Sequence, residues 1–328
     1  MHNSKALLLI NTGSPTDLST KEIRRYLTHF LTDKRVINIP SLIRYPLVYG
    51  IIAPLRAKKS RDKYALVWDR GQSPLVLHTE ALAKRVQEIS ECPTFTAMQH
   101  NIGSIEQAFS AIEKCGATEV IAVPLFPQYS MSSYENAMSF VQEKYIKLQP
   151  PFQLLCTPPY YNHPSYVEAL VEQVEKTAEP YSHLLFSFHG IPISQTKPYL
   201  GNPDKDYQYQ CLETKRIVME HPKVKALQLT SEVVYQSRFG NGKWLTPILE
   251  ERIPELAKEG KRRVYVLCPS FVCDCLETLW DIDIHAKELF QGDHLALIPC
   301  PNDSTHMAQA IIDLAINQAT EIHLWTQP

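Results

Sequence analysis

No stretch of this 328-residue chain approaches the roughly 18 consecutive apolar residues that a membrane-spanning helix needs. The N-terminal MHNSKALLLINTG holds one short apolar run that gives way to turn residues. It is too short for the apolar centre of an export signal with its cleavage site, so a cytoplasmic location is expected. Charge of either sign is also scarce in excess: the net charge is −2, without one long basic tract, which argues against nucleic acid as a partner. There is no G-x-G-x-x-G and no Walker A loop, so nucleotide use has no support, and no G-x-S-x-G elbow for acyl transfer. The eight cysteines lack a second pair at zinc-finger spacing. Cys268, Cys273 and Cys275 form C-x4-C-x-C across an expected strand end and helix start, a poor geometry for three thiolates on one ion. Reduced, packed thiols are expected, with no cofactor and no iron–sulfur cluster.

What is present is alternation. With 44% apolar residues the chain can bury a full core, and its length suggests two domains. KALLLIN, VIAVPLF, HLLFSF, KALQLT and RVYVLCP read as strands. STKEIRRYLTHFL and SIEQAFSAIEKCG read as helices, the first capped by Ser19 with Glu22 in capping-box spacing, the second stopped by Gly116. Strands alternating with helices predict an α/β fold of doubly wound parallel sheets. An internal repeat sharpens this. LLINTGSP (8–15) matches LFSFHGIP (185–192), a strand followed by x-Gly-x-Pro. EVIAVPLFPQYS (119–130) matches RVYVLCPSFVCD (263–274), a strand followed by Pro-x-Phe. Two pairs in the same order predict two similar halves, 1–160 and 161–328, with the Pro-rich 156–166 as the crossing point. Strand ends attract Gly and Pro in any case, so the shared order carries the inference.

Ligands of open α/β sheets sit beyond the carboxyl ends of the strands. Thr12, Tyr129, His189 and Phe271 follow such ends and are expected to approach one cleft. His189 closes a buried strand, and Gly190 behind it would let the chain turn or a ligand approach closely. In PSFVCDCLETLWDIDIHAKELF (269–290), Asp274 can cap a helix. Glu277, Asp281 and His285 then recur every four residues, along one helical face, with Leu276, Leu279 and Ile282 beside them. Such a stripe is either a solvated surface or a route for protons or a hydrated cation, with Glu277 expected deepest and His285 nearest solvent. One histidine, carboxylates and aromatic residues such as Tyr129, Trp244 and Phe271 suit a flat apolar ligand together with a cation.

NTGSP, RYLTHFLTDKRVINIP, YPLVYGIIAPLRAKKS, DRGQSPL, FPQYS, FSFHGIP, GKWLTP and CPSFVCDCLETLWDI together resemble the ferrochelatases over nearly the whole chain. The pairing of SFHGIP with DCLETLWDI is the specific part. The resemblance implies two Rossmann-like halves with a porphyrin cleft between them, and insertion of ferrous iron into protoporphyrin IX to form protohaem, the terminal step of haem biosynthesis. It implies that His189 and Glu277 are the catalytic and metal-contacting pair, and that Asp281 and His285 continue the proton or metal path. Thr12, Tyr129, Trp244 and Phe271 match porphyrin-pocket positions. His285 departs from the family, which commonly has a carboxylate there, and no cysteine-bearing C-terminal extension like that of cluster-containing relatives is seen. Coproporphyrin III or another tetrapyrrole is the alternative substrate, and a haem or porphyrin carrier without chemistry the rival class.

The chemistry fits these residue types. Metallating a porphyrin removes two pyrrolic N–H protons, and histidine accepts protons near neutrality. Iron(II) tolerates mixed imidazole and carboxylate contacts. SLIRYPLVYGIIAPLRAKKSRDK (41–63) is apolar and then basic, which suits an apolar mouth with peripheral membrane contact. Its two prolines argue against one continuous helix.

Overall fold

The computed structural model describes residues 4–239 and 242–321. Nine strands form among the described residues: β1 (Lys5–Asn11), β2 (Thr94–Met98), β3 (Glu119–Pro124), β4 (Gln153–Cys156), β5 (His183–His189), β6 (Thr230–Gln236), β7 (Arg263–Leu267), β8 (His294–Leu297) and the two-residue β9 (Thr320–Glu321). The first sheet runs β2-β1-β3-β4-β9 and the second β6-β5-β7-β8. The first four strands of one sheet and all four of the other are parallel, and only β9 is antiparallel, against β4. Counted within each sheet, the shared order is second, first, third, fourth. The repeat read in the sequence is therefore a repeat of topology, with β1 and β5 in one slot and β3 and β7 in the other. The central strands are apolar on both faces, ALLLIN of β1 and HLLFSF of β5 being buried throughout, as parallel sheets covered on both sides require.

The chain divides into two compact units, residues 1–125, 131–158 and 313–328 in the first, 126–130 and 159–312 in the second. The boundary falls beside the 160/161 division expected from sequence, but a contiguous split is too simple. Five residues after β3 belong to the second unit, and the segment from Asp313 returns to the first, where β9 extends the sheet.

Three local expectations need correction. KALQLT is not a strand: Pro222 starts a short helix through Ala226, Gln228 turns with φ +53, and β6 begins at Thr230. At the first long helix (Thr20–Leu31), Ser19 Oγ accepts the Glu22 N–H at 3.1 Å. The reciprocal bond is absent among the described contacts, because Glu22 accepts instead from the Thr16 N–H and from Arg25. The 41–67 segment is helical without a break, despite Pro46 and Pro54. A wider π turn, Val48–Ile52, precedes Pro54, with the Ala53 N–H donating to Val48 O. The carbonyls that the prolines cannot serve in α geometry belong to Leu42 and Gly50. Both residues are exposed, so water can satisfy them. Arg44, Val48, Ala53, Ala57 and Tyr64 form the buried face of this helix. Its outer face is apolar, with Leu42 89% and Leu55 75% exposed beside Tyr45, Tyr49 and Ile51. No helix among the described residues is long and apolar enough to cross a membrane.

Candidate active site

In the second unit the strand order reverses direction between β5 and β7, the switch point where open α/β sheets place ligands. His189 ends β5, and the turn after β7 carries Ser270 and Phe271. The backbone of His189 is held on both sides. Its N–H donates to Ser270 Oγ at 3.3 Å, and its carbonyl accepts the Tyr207 hydroxyl at 2.7 Å. Tyr207 and Ser270 also share a hydrogen bond at 3.1 Å. The imidazole Nδ1 is 2.7 Å from Gly190 O. A carbonyl only accepts, so Nδ1 carries the proton and Nε2 is left to face Glu277 Oε2 at 3.2 Å. Both side chains are more than a third open, 38% and 37%.

That geometry leaves two acceptors facing each other unless one proton lies between them. Burial opposes a charge on His189. The Glu277 carboxylate, the Gly190 carbonyl and, at longer range, Asp281 outweigh it and raise the imidazole above its ordinary value. The pair thus shares one proton between Nε2 and Oε2.

Gly190 has a reason within the fold itself. A Cβ there would stand 2.8 Å from the backbone oxygen of Gln236 and 3.5 Å from the Trp244 ring, and the Gly190 N–H donates to that oxygen at 2.8 Å. The glycine permits close approach of β6 and Trp244.

The helix after β7 also differs in construction. Its N-cap is Cys275, not Asp274: the Cys275 N–H donates to Thr278 Oγ1 at 3.0 Å in a capping box. Asp274 is buried and instead accepts from Thr278 Oγ1, Cys300 N and Asn302 Nδ2, which fixes the turn to the segment after β8. The helix then opens into a π segment, Asp281–Ala286, with the His285 N–H donating to Trp280 O. Ile282 and Ala286 are fully buried in the core cluster that also holds Ile253 and Leu256. Burying one such isoleucine contributes about 2 kcal/mol. This anchoring leaves Asp281 and His285 on the opposite, partly open side. Ser237, with φ +62, directs its hydroxyl to Asp281 Oδ2 at 3.1 Å.

The expected gradient of depth is not found. His285 is 36% exposed, close to the 37% of Glu277, because its ring lies flat on Trp280 with centroids 5.0 Å apart. Phe271 packs 6.1 Å from the His189 ring, and Trp244, half-buried, lies against Gly190. Tyr129 belongs to the same unit but is only 2% exposed. Its N–H donates to Gln210 Oε1, and its ring meets Tyr199 edge-on. Thr12 lies in the first unit, half-buried, its N–H on Asn11 Oδ1 and its carbonyl accepting from His100. The structure therefore gathers His189, Glu277, Asp281, Phe271 and Trp244, while Tyr129 is enclosed within the same unit.

The cysteines of the C-x4-C-x-C run are all buried. Burial pushes the Cys268 and Cys275 thiols well above their ordinary value, and likewise Cys300. Cys268 donates its S–H to Gln236 Oε1 at 3.4 Å. Sequence reasoning missed Gln236, Ser237, Tyr207 and Ser270. The signal for the first two was present in a polar pair closing an otherwise apolar strand, VVYQS, but the misplaced strand at KALQLT hid it.

Known proteins resemble this chain in fold and in sequence. The solved structure of SirB from Bacillus subtilis with Fe3+ superposes with a TM-score of 0.55 over 95% of this chain and 94% of that one, at 13% identity, which speaks to the fold. Curated ferrochelatases are nearer in sequence. That of Bdellovibrio bacteriovorus is 33% identical over 94% of this chain and 98% of its own length. That of Porphyromonas gingivalis is 33% identical over 94% of both. A family model described as ferrochelatase matches residues 4–319, a span that contains every residue of the His189–Glu277 site. The chain belongs to the ferrochelatase family.

Proposed function

We propose that this chain inserts ferrous iron into a porphyrin, with His189 and Glu277 as its working pair. The observation that carries the assignment is the Nε2–Oε2 contact at 3.2 Å on the carboxyl end of β5, placed in a chain of this family. In the reaction two pyrrolic N–H bonds break, two protons leave and the ring nitrogens bind the metal. With Nδ1 held on Gly190 O, Nε2 is the atom that takes a proton from the macrocycle once the proton it shares with Glu277 has left. Glu277 accepts it in turn or contacts the incoming iron, and Asp281 extends the carboxylate line outward. Among the described residues no three His, Cys, Asp or Glu side chains converge as a metal cage. A two-residue contact suits a metal that must pass on to the ring. Phe271 and Trp244 offer flat apolar surfaces, and a pocket that favours a bent ring lowers the barrier by resembling the metallating geometry.

The substrate we favour is protoporphyrin IX over coproporphyrin III. The apolar outer face of the 41–67 helix, Leu42 to Leu55, suits vinyl-bearing edges, whereas two extra propionates call for cationic partners. Purified protein, incubated anaerobically with ferrous iron and each porphyrin while absorbance is recorded, is expected to show the higher kcat/KM for protoporphyrin. A higher value for coproporphyrin reverses the choice. No spectral change with either removes the enzyme reading and leaves a carrier.

The same helix supports peripheral membrane contact. Exposed Leu42, Ile43, Tyr49 and Leu55 are followed by exposed Lys58 and Lys59, an apolar face beside cations that can meet anionic headgroups. Co-sedimentation with vesicles containing anionic lipid is expected, and a Leu42→Ser/Leu55→Ser variant is expected to lose most of it. Equal sedimentation of both forms, or none of either, rejects this contact.

A further inference from the structure

One side chain of the second unit touches the supports of both partners of the working pair without facing the open site. Gln236, the last residue of β6, is fully buried. Its Oε1 accepts from Ser187 Oγ on β5 at 2.6 Å and from Cys268 Sγ at the end of β7 at 3.4 Å. Its Nε2 donates to the backbone oxygen of Glu277 at 2.8 Å. Its own backbone oxygen accepts the N–H of Gly190, the residue behind His189, at 2.8 Å.

The amide orientation is therefore fixed by chemistry. Two donors point at one end and a carbonyl lies at the other, so the oxygen and nitrogen cannot exchange places without pairing like with like. The carbonyl of Glu277 is held by a long side chain reaching across from β6. The helix that carries Glu277 is only one turn of α geometry, Leu276–Leu279, before the π segment begins. So short a turn does not by itself fix the direction of its side chains to a few tenths of an ångström.

We propose that Gln236 is a positioning residue for metal insertion: by tying the Glu277 peptide to the ends of β5 and β7, it sets the distance between the Glu277 carboxylate and His189 Nε2. The inference rests on the reading of His189 and Glu277 as the working pair. Its role differs from theirs because Gln236 touches no reacting atom in this arrangement. Misplacing a catalytic group by about 1 Å costs on the order of 100-fold in rate, whereas apolar contacts with a bound porphyrin are not routed through this amide.

The test uses full-length protein, ferrous iron and protoporphyrin. Gln236→Met keeps the length and removes every polar atom. Gln236→Leu likewise removes the donor to Glu277 O, in a second apolar shape. Ser187→Ala deletes one bond to the same amide but leaves the tie to Glu277. Both Gln236 variants are expected to lose kcat by about 10- to 100-fold with porphyrin KM changed less than about threefold. Ser187→Ala is expected to keep kcat within about threefold even if its melting temperature falls as far as theirs. If either folded Gln236 variant keeps wild-type kcat, or if Ser187→Ala loses kcat in proportion to stability, the positioning role is overturned. His189→Ala in the same assay separates the two levels. Full activity there overturns the working pair itself, whereas loss there with active Gln236 variants overturns only the present inference.

Discussion

His189→Ala is expected to bind porphyrin and yet lose metal insertion by about 100- to 10,000-fold, the range over which a positioned acid–base group contributes. The fold should survive, because the side chain is 38% open and the two bonds that fix this position, from Tyr207 and to Ser270, use its backbone and remain in alanine. Porphyrin fluorescence measures binding, and anaerobic absorbance measures insertion. Wild-type turnover would make the imidazole a spectator and return the proton step to the carboxylates.

Glu277→Gln keeps the size of the side chain and removes its charge. It is expected to lower kcat by about 10- to 100-fold, because the amide can still meet Nε2 but cannot accept a proton from it. The pH profile should move as well. Burial lowers the His189 pKa while Glu277 raises it, and at present the raising interactions win. Without the carboxylate the imidazole loses its proton at lower pH, so the acid limb of whatever activity remains should shift downward. Asp281→Asn should do less, since it acts on His189 as a charge at longer range, and His285→Ala least, since its ring is engaged with Trp280. Equal damage from His285→Ala and Glu277→Gln would show that the outer stripe takes part in the chemical step, and an unmoved acid limb would detach Glu277 from the titration of His189.

Those residues were legible because they occupy positions that sequence marks clearly. A run such as HLLFSFH can only be a buried strand, and a repeat of strand endings fixes which strands are equivalent. The order β2-β1-β3-β4 against β6-β5-β7-β8 bears that out. The family signatures brought Glu277 to His189, and the structure closes them to 3.2 Å. What escaped depends on spacing between elements rather than along them. The cap at Cys275 is decided by Thr278 reaching back and by Asp274 being claimed by Cys300 and Asn302. Those last two stand 26 and 28 positions further along the chain. The burial of Ile282 and Ala286 is set by the core cluster they enter, and the unbroken 41–67 helix follows from solvent reaching two unserved carbonyls. Its place after a strand marks Tyr129 as a pocket wall, but Gln210 and Tyr199 enclose it. Gly190 reads as room for a turn or a ligand, and the close neighbour within the fold, a strand of its own sheet, was not legible.

The return of residues 313–321 to the first unit sets an order of events during synthesis. All of the second unit, through Ile312, is translated before the strand that covers the free edge of β4 exists. The first unit must therefore wait with that edge open, a template for pairing with another nascent chain, until the unit begun later has been translated in full. Loss of Thr320 and Glu321 would uncover an edge of the half that was made first.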